Sequence, residues 1–185
     1  ELKGKTLGIV GYGNIGQRVA EICSTIGMNI ITNSKSASDE DLSRFKAKKV
    51  STEQLIREAD IISIHTKLND ETKYMFNKET LSTMKPTSVI INCARGGLIN
   101  EVDLKDALNN EVIAGAAIDV YENEPATDNV MFGAKNLLLT PHLGASSKEA
   151  QSNVAIDVAN QVADFLIDNK ICLLYTSPSP RDRNV

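Results

Sequence analysis

The 185-residue sequence predicts an α/β fold, a doubly wound parallel sheet with helices on both faces. Short apolar runs alternate with segments of helical periodicity, which is typical of parallel strands covered by helices on both sides. A glycine-rich turn joins the first apolar run directly to the first helical segment. Because each crossover keeps neighbouring strands parallel, the residues that follow the strands collect at one edge of the sheet, where such folds bind ligands.

The predicted elements follow one another in a regular order along the chain. Six strands are predicted, over Thr6–Val10, Asn29–Thr32, Ile61–His65, Ser88–Cys93, Gly115–Val120 and Leu137–Thr140. Four helices lie between them, over Asn14–Ile26, Thr52–Glu58, Lys78–Met84 and Glu101–Asn109. Pro86 separates the third of these helices from the next strand. A long amphipathic helix, Ser147–Asn169, then carries an apolar stripe of Val154, Ile156, Val158, Val162, Phe165 and Leu166.

The character of the chain changes near residue 170. Residues 1–170 are predicted to form one domain. The segment 171–185 ends in LLYTSPSPRDRNV, which has a Pro-Ser-Pro sequence, a charged end and no periodicity. This composition predicts a disordered or non-native tail, with a flexible natural linker as the alternative.

Composition and charge disfavour several classes of protein. The net charge of −4 disfavours nucleic acid as the main partner, because phosphate backbones attract basic surfaces. No apolar run approaches the ~20 residues that span a bilayer, so no membrane partner is expected. Cys23, Cys93 and Cys172 lack metal-ligand spacing. They are predicted to be free, buried thiols in a reducing compartment, and the cytoplasm is the expected location.

The segment from Thr6 to Ala20, TLGIVGYGNIGQRVA, carries the strongest functional signal. Its strand leads into Gly11, Gly13 and Gly16, spaced as G-x-G-x-x-G, and a helix begins at once. In this context the first glycine makes the turn, the second lets a pyrophosphate approach the backbone, and the third lets helix and strand pack closely. The helix N-terminus then attracts the phosphates. A plain glycine-rich turn is the alternative, but the pattern favours a dinucleotide-binding, Rossmann-type domain. The helix is predicted to place its apolar side chains on one face: Ile15, Val19, Ile22 and Cys23.

Three blocks, the first of them the glycine motif, place the sequence beside a known family. GYGNIG (11–16), NCARGGLINEVDL (92–104) and AIDVYENEPA (117–126), which TPHLGASSKEAQ (140–151) follows, resemble the nucleotide-binding domain of the D-isomer-specific 2-hydroxyacid dehydrogenases. The resemblance covers residues 1 to about 170. It implies a nicotinamide cofactor, a small 2-hydroxy acid as substrate, and a homodimer formed through the nucleotide-binding domain. It also implies a separate substrate domain that this chain lacks, so the chain is expected to be a fragment with negligible turnover alone.

Three residues are candidates for the chemistry. His142 suits a base for the hydroxyl proton, because the unperturbed pKa of histidine lies near 6.5. By the resemblance, Glu124 is the carboxylate that orients this imidazole. By the same resemblance, Arg95 is the residue that binds the substrate carboxylate, and a guanidinium can hold a carboxylate by two parallel hydrogen bonds. Glu122 could take the place of Glu124, and Arg95 could be an ordinary surface residue.

The resemblance also assigns cofactor contacts beyond the glycines. Phosphate contacts fall on the opening of the first helix, and the other contacts lie after later strands: Asn14, Ile15, Thr66, Cys93, Ala94, Asp119, Gly144 and Ala145. Gly96 and Gly97 are expected to let their loop turn beneath the nicotinamide ring. His65, the other histidine, is interpreted as a hydrogen-bonded structural residue near the cofactor, with a catalytic role as the alternative.

The end of the second strand departs from the usual pattern. Domains that prefer NAD normally carry Asp or Glu there to bind the ribose 2′-hydroxyl, whereas this sequence has Ser34 followed by Lys35. A carboxylate would repel a 2′-phosphate, but serine and lysine could accept one. This departure makes dual or NADP-leaning specificity the alternative, and NAD remains the predicted cofactor because the dehydrogenases that the sequence resembles usually use it.

Within the family, TPHLGASSKEAQ is most similar to the D-3-phosphoglycerate dehydrogenases. This similarity implies oxidation of 3-phospho-D-glycerate to 3-phosphohydroxypyruvate in serine biosynthesis. A hydroxypyruvate or glyoxylate reductase that uses NADPH is the nearest alternative. A corepressor-like module that senses nucleotides is the alternative from a different class, and the segment after His142 disfavours it.

Overall fold

The computed structural model describes residues 1–170, which contain seven strands and six helices. The strands are β1 (Thr6–Val10), β2 (Asn29–Thr32), β3 (Lys48–Lys49), β4 (Ile61–Ile64), β5 (Val89–Asn92), β6 (Gly115–Ile118) and β7 (Leu137–Leu139). The helices are α1 (Asn14–Thr25), α2 (Asp39–Arg44), α3 (Thr52–Glu58), α4 (Lys78–Ser82), α5 (Glu101–Asn109) and α6 (Lys148–Asp168).

All seven strands form one parallel sheet in the order β3-β2-β1-β4-β5-β6-β7. The chain builds outwards from β1 in one direction and then restarts with β4 on the other side of β1. The fold class predicted from the sequence is therefore confirmed. The strand order reverses between β1 and β4, and a crevice at such a switch point is where doubly wound sheets bind ligands.

Strand β1 shows why both faces of the sheet are covered. Leu7 and Ile9 belong to one apolar cluster with Ala20 of α1, whereas Val10 belongs to a second cluster that includes α3, α4 and α5. Successive side chains of a strand point to opposite faces, so the two clusters lie on opposite sides of the sheet. At Gly8 a Cβ atom would lie 2.7 Å from a side-chain carbon of Leu55 of α3, so a larger residue there would force Leu55 to move.

Two short elements were missed by the sequence analysis. Helix α2 has six residues and buries only Leu42, so it is too short to show helical periodicity. The Ser38 hydroxyl accepts from the Asp41 amide at its start and forms a capping box. Strand β3 consists of two exposed lysines, which carry no apolar signal, yet it pairs with Ile31 and Thr32 of β2. The remaining predicted elements are present, with ends that differ by up to two residues.

The apolar face predicted for α1 is wrong at two positions. Ile15 is 68% exposed and Ile22 is 54% exposed, while Gly16 and Ala20 are buried. The stripe of small residues at i and i+4 faces the sheet because it lets the helix axis lie close to β1. Ile15 and Ile22, seven residues apart, share a different face that points to solvent.

The chain divides into two compact units, 1–142 and the part that begins at Leu143. Within the second unit, Ser147 caps α6 and Asn169 ends it in the left-handed conformation. The predicted amphipathic helix is present as α6, its apolar stripe is exposed, and none of its residues is buried in the described part of the chain. The proposed domain limit at 170 stays a prediction, and the predicted tail, 171–185, lies outside the described residues.

The cysteine prediction is only partly correct. Cys23 is half-buried, but Cys93 is exposed, because it follows the last residue of β5 and stands at the open edge of the sheet. Cys172 lies outside the described residues. Over residues 1–170, no helix has the length and apolar character needed to cross a bilayer.

Candidate active site

The glycine turn after β1 has the mechanics expected of it. Gly11 has φ +91°, and a Cβ atom there would lie 2.7 Å from the carbonyl oxygen of His65, which follows β4. A Cβ atom on Gly16 would lie 2.3 Å from the carbonyl oxygen of Gly11. Gly13, in contrast, has no heavy atom within 4 Å of the direction of its missing side chain. Two glycines therefore permit close packing, and the third leaves the backbone open to a ligand.

The N-terminus of α1 is available to an anion. No side chain caps this helix, although side chains cap the other five helices of the described residues. Asn14 and Ile15 are exposed at its first turn. The first N–H groups of a helix have no intrahelical partner, so this end offers donors and a partial positive charge to a phosphate.

The end of β2 carries hydroxyl and ammonium groups. Ser34 is buried, and its Oγ lies 3.3 Å from the Oγ of Ser36. The side chain of Lys35 is 94% exposed, and its Nζ lies 3.9 Å from a carboxylate oxygen of Glu71. The Nζ of Lys49, on β3, donates to the Lys35 carbonyl oxygen at 3.2 Å. Lys49 is not predicted from the sequence as part of this site, because its approach depends on the pairing of β3 with β2.

His65 has the surroundings of a structural histidine. Its Nε2 lies 2.8 Å from the Ser63 hydroxyl, and burial lowers the pKa of its imidazole. Thr66 follows, half-buried, at the end of β4 next to the glycine turn. His65 and Thr66 lie at the switch point, which is a suitable location for a cofactor contact. The cofactor contact of Thr66 stays a prediction.

Asn92, the last residue of β5, shapes the loop that carries Arg95. Its Oδ1 accepts from the Ala94 amide at 3.0 Å, and its Nδ2 donates to the Arg95 carbonyl oxygen at 2.9 Å. No role for Asn92 is predicted from the sequence. An asparagine at the end of a buried strand, just before a turn, is the signal that could have indicated this local hydrogen bonding.

Gly96 brings two loops into contact. A Cβ atom at this position would lie 1.8 Å from the carbonyl oxygen of Tyr121, in the loop that follows β6. Only glycine permits this approach, so Gly96 serves loop packing rather than the turn that the sequence predicted for it. Gly97 makes the turn, with φ +79°.

His142 and Glu124 form a hydrogen-bonded pair. The Nδ1 of His142 lies 2.7 Å from Oε2 of Glu124, while Oε1 of the same carboxylate accepts from the Tyr121 amide at 3.0 Å. The bond to His142 and then the amide bond hold the pKa of Glu124 below its usual value, because both stabilise the charged form. With Nδ1 engaged by the carboxylate, the Nε2 of His142 is the ring nitrogen left for a substrate.

Glu122, the alternative acid, is engaged elsewhere. Its carboxylate accepts from the Tyr74 hydroxyl at 2.9 Å. The arrangement therefore favours Glu124 as the partner of His142.

Two bonds tie the end of β6 to the end of β7. The Thr140 hydroxyl donates to the buried carboxylate of Asp119 at 2.6 Å, and the Tyr121 hydroxyl donates to the Thr140 carbonyl oxygen at 2.9 Å. Thr140 stands two residues before His142, so these bonds help to fix the position of the imidazole. No role for Tyr121 or Thr140 is predicted from the sequence.

The three predicted catalytic residues meet at one cavity of about 390 Å³. They come from three separate loops, and the cavity is lined by Leu68, Arg95, Gly96, Val120, Tyr121, Glu122, Glu124 and His142. Such a cavity holds a guanidinium that can bind a carboxylate beside an imidazole that can exchange a proton. Gly144 and Ala145 belong to the second compact unit, and their cofactor contacts stay predictions.

A doubly wound parallel sheet with an open glycine turn at its switch point defines a dinucleotide-binding domain. The sequence model of the NAD-binding domain of D-isomer-specific 2-hydroxyacid dehydrogenases matches residues 1–144. The chain therefore belongs to this family of oxidoreductases.

Relatives of two kinds match most of the chain. It is 45% identical over 165 residues to a D-3-phosphoglycerate dehydrogenase of Bacillus subtilis, covering 89% of this chain and 31% of the relative. It is 41% identical over 164 residues to a glyoxylate reductase of Thermococcus litoralis, covering 89% of this chain and 50% of the relative. The crystal structure of a glyoxylate reductase from Paecilomyes thermophila superimposes with a TM-score of 0.85 at 34% identity, covering 92% of this chain and 52% of that one. The chain thus spans between about a third and a half of the length of these relatives.

Proposed function

We propose that this chain is the cofactor-binding part of an NAD(P)-dependent D-2-hydroxyacid dehydrogenase. The observation that carries the proposal is the His142–Glu124 pair, which shares a cavity with Arg95 at the edge of the sheet where the glycine turn lies. An isolated histidine or arginine would be ordinary. Their convergence from separate loops provides both a proton acceptor and a carboxylate-binding group.

The residues fit a dinucleotide. The open face of Gly13 and the uncapped N-terminus of α1 would hold the pyrophosphate, and Thr66, Cys93 and Asp119 lie after strands that end at the same edge. A bound nicotinamide would accept the hydride from the substrate carbon. The remaining chemistry, proton transfer and substrate orientation, falls to side chains of the protein.

His142 is the proposed base. Its Nε2 would take the proton of the substrate hydroxyl as the carbon–oxygen single bond becomes a carbonyl, and would return it in the reverse reaction. Glu124, held by the Tyr121 amide, orients the ring and stabilises the imidazolium that forms. Arg95 binds the substrate carboxylate and so fixes the carbon that is oxidised.

We propose 3-phospho-D-glycerate as the substrate, oxidised to 3-phosphohydroxypyruvate in serine biosynthesis. The segment TPHLGASSKEAQ supports this choice over a corepressor-like binding module. A hydroxypyruvate or glyoxylate reductase is the second candidate. The similar identities to relatives of both kinds, 45% and 41%, favour neither strongly.

The match to the model of an NAD-binding domain supports NAD as the cofactor, and we propose in addition that NADP is accepted. Ser34 offers no negative charge to repel a 2′-phosphate, and the ammonium groups of Lys35 and Lys49 stand at the end of the same strand. We also propose a homodimer formed through this domain and a cytoplasmic location. The proposal of a homodimer is based on the family resemblance. The proposal of a cytoplasmic location is based on the relatives, which are enzymes of metabolism.

Calorimetric titration of the chain with NADH and NADPH tests the cofactor role. We expect saturable binding, whereas no binding of either by a folded chain would contradict the proposal. Hydride transfer from 3-phospho-D-glycerate and from glycolate is then compared in an enzyme that joins this domain to a substrate domain. We expect the phosphorylated substrate to be preferred and the chain alone to turn over negligibly.

A further inference from the structure

The loop that carries Glu124 has no regular secondary structure of its own. Residues 121–129, here called the carboxylate loop, lie between β6 and β7 and contain neither helix nor strand. Glu124 nevertheless lies at 2.7 Å from His142, and irregular loops are normally among the more mobile parts of a protein. Some other part of the molecule must therefore hold this loop in place.

Glu101, the first residue of α5, contacts both ends of the carboxylate loop. Its Oε1 accepts from the Glu122 amide at 2.9 Å, and its Oε2 accepts from the Asn129 side-chain amide at 2.8 Å. Both carboxylate oxygens are thus used on one loop. Bonds to a charged acceptor are stronger than bonds between neutral groups, so this pair of contacts is well suited to fix a segment.

The support behind this clamp is rigid. Asn100 caps α5 through the amides of Val102 and Asp103, and Leu104, one turn further on, is fully buried. On the loop side, Asn129 also accepts from the amide of Met131, whose side chain is buried in the core. The clamp therefore joins an anchored helix to an anchored loop end.

Two consecutive amides transmit the position of Glu101 to the reactive pair. The Glu122 amide donates to Glu101, and the preceding amide, that of Tyr121, donates to Glu124. If Glu122 moved away from α5, the peptide between Tyr121 and Glu122 would rotate and turn the adjoining peptide with it. The Tyr121 amide would then no longer point at the Glu124 carboxylate. The position of the Glu124 carboxylate thus depends on Glu101, whose hydrogen bonds within the described residues go to Glu122 and Asn129 and not to His142.

We propose that Glu101 is a positioning residue, which clamps the carboxylate loop so that Glu124 faces His142. The inference rests on the proposed catalytic role of that pair. Glu101 acts by holding the backbone of the carboxylate loop in place rather than by contact with substrate or cofactor.

The effect of charge and the effect of position have opposite signs, which makes the inference testable. Removing the negative charge of Glu101 would by electrostatics alone lower the pKa of Glu124. Loss of the clamp would weaken the Tyr121 and His142 bonds that lower this pKa, and would raise it towards the ordinary value of about 4.3. A rise in the pKa of Glu124 therefore indicates loss of the clamp rather than loss of the Glu101 charge.

The experiment is an NMR pH titration of the Glu124 side-chain carbon in the wild-type chain and in Glu101→Ala. We expect the pKa of Glu124 to rise in the variant, and the Glu122 amide to exchange with solvent at least about tenfold faster. Glu101→Gln keeps one acceptor oxygen and should show a smaller rise. An unchanged or lower pKa with unchanged exchange would overturn the inference.

Glu111→Ala is the matched control, because it also removes one negative charge near α5, from an exposed ion pair with Lys135. It should leave Glu124 and the Glu122 amide unchanged. If Glu101→Ala does not fold, Asn129→Ala is measured instead, because it releases only one of the two contacts. A rise in the pKa of Glu124 again supports the inference, and an unchanged pKa with unchanged amide exchange overturns it. Because neither readout requires turnover, failure of the clamp is distinguishable from failure of the proposed function, which NADH binding and hydride transfer test.

Discussion

The Nδ1 atom of His142 lies 2.7 Å from the Oε2 atom of Glu124, across two loops that are separated by 18 positions in the chain. The second oxygen of the carboxylate is held by the Tyr121 amide, so Glu124 is fixed from two sides. The imidazole consequently has a defined orientation, with Nε2 directed away from its carboxylate partner. This relationship makes the proposed proton transfer specific enough to test.

Glu124→Gln should slow hydride transfer without preventing cofactor binding. The uncharged amide cannot stabilise the imidazolium, so we expect kcat to fall about a hundredfold in an enzyme that joins this domain to a substrate domain. Glu122→Gln is the matched control, because Glu122 lines the same cavity but accepts from Tyr74. Equal losses in the two variants would contradict the assignment of Glu124.

Gly13→Ala should reduce cofactor affinity while preserving the fold. The added methyl group meets no protein atom within 4 Å, so we expect the free energy of unfolding to change by about 1 kcal/mol or less. The methyl group would occupy the space proposed for the pyrophosphate, so NADH affinity should fall at least about tenfold. Calorimetry and urea unfolding measure the two quantities, and unchanged affinity would exclude this face as the phosphate site.

Gly96→Ala should destabilise the fold, in contrast to Gly13→Ala. Its methyl group would lie 1.8 Å from the Tyr121 carbonyl oxygen, and a backbone atom cannot move aside as a flexible side chain can. We expect the free energy of unfolding to decrease by about 2 kcal/mol or more. Urea unfolding, compared with Gly13→Ala, provides the measurement. A variant as stable as the wild type would show that the two loops are not tightly packed.

Ser34→Asp should shift cofactor preference towards NADH. The new carboxylate would repel a 2′-phosphate and could bind the 2′-hydroxyl of NAD, so NADPH affinity should fall at least about tenfold. The NADH affinity of the same variant serves as the internal control, since it should be maintained or increased. If NADPH and NADH affinities fall together, the variant has disturbed the buried site rather than its selectivity.

Asp60 should make stability dependent on acid pH. Its carboxylate binds Nζ of Lys85 and the amide of Thr6, both at 2.8 Å, and these bonds, the Lys85 bond foremost, lower the pKa of Asp60 in the folded chain. The folded pKa lies below the unfolded value of about 3.9, so this stabilisation is present above about pH 4 and is lost as the pH falls through the folded pKa.

The variant Asp60→Asn tests this dependence. Its unfolding free energy, measured in urea from about pH 6 to pH 2.5, should decline less with falling pH than that of the wild type. Asp70→Asn, at an exposed position, is the control and should retain the wild-type slope. Parallel slopes for Asp60→Asn and the wild type would show that this carboxylate contributes little.

The sequence alone was sufficient to predict the fold class and the contiguous strand, glycine turn and helix of the site. Strand β1, the turn at Gly11 and helix α1 are contiguous, so their apolar periods and glycine spacing are visible within about fifteen residues. Motif context likewise predicts Arg95, Glu124 and His142 as site residues, and the three line one cavity.

Only the tertiary structure decided how distant segments meet. The exposure of Ile15, the addition of Lys49 beside β2 and the contact of Gly96 with Tyr121 all depend on partners far away in the chain. The clamp of Glu101 on Glu122 spans 21 positions and leaves no periodic trace in the sequence. Local patterns encode which face of an element is apolar, whereas loop-to-loop distances follow from the packing of the whole sheet, and these distances place Glu124 against His142.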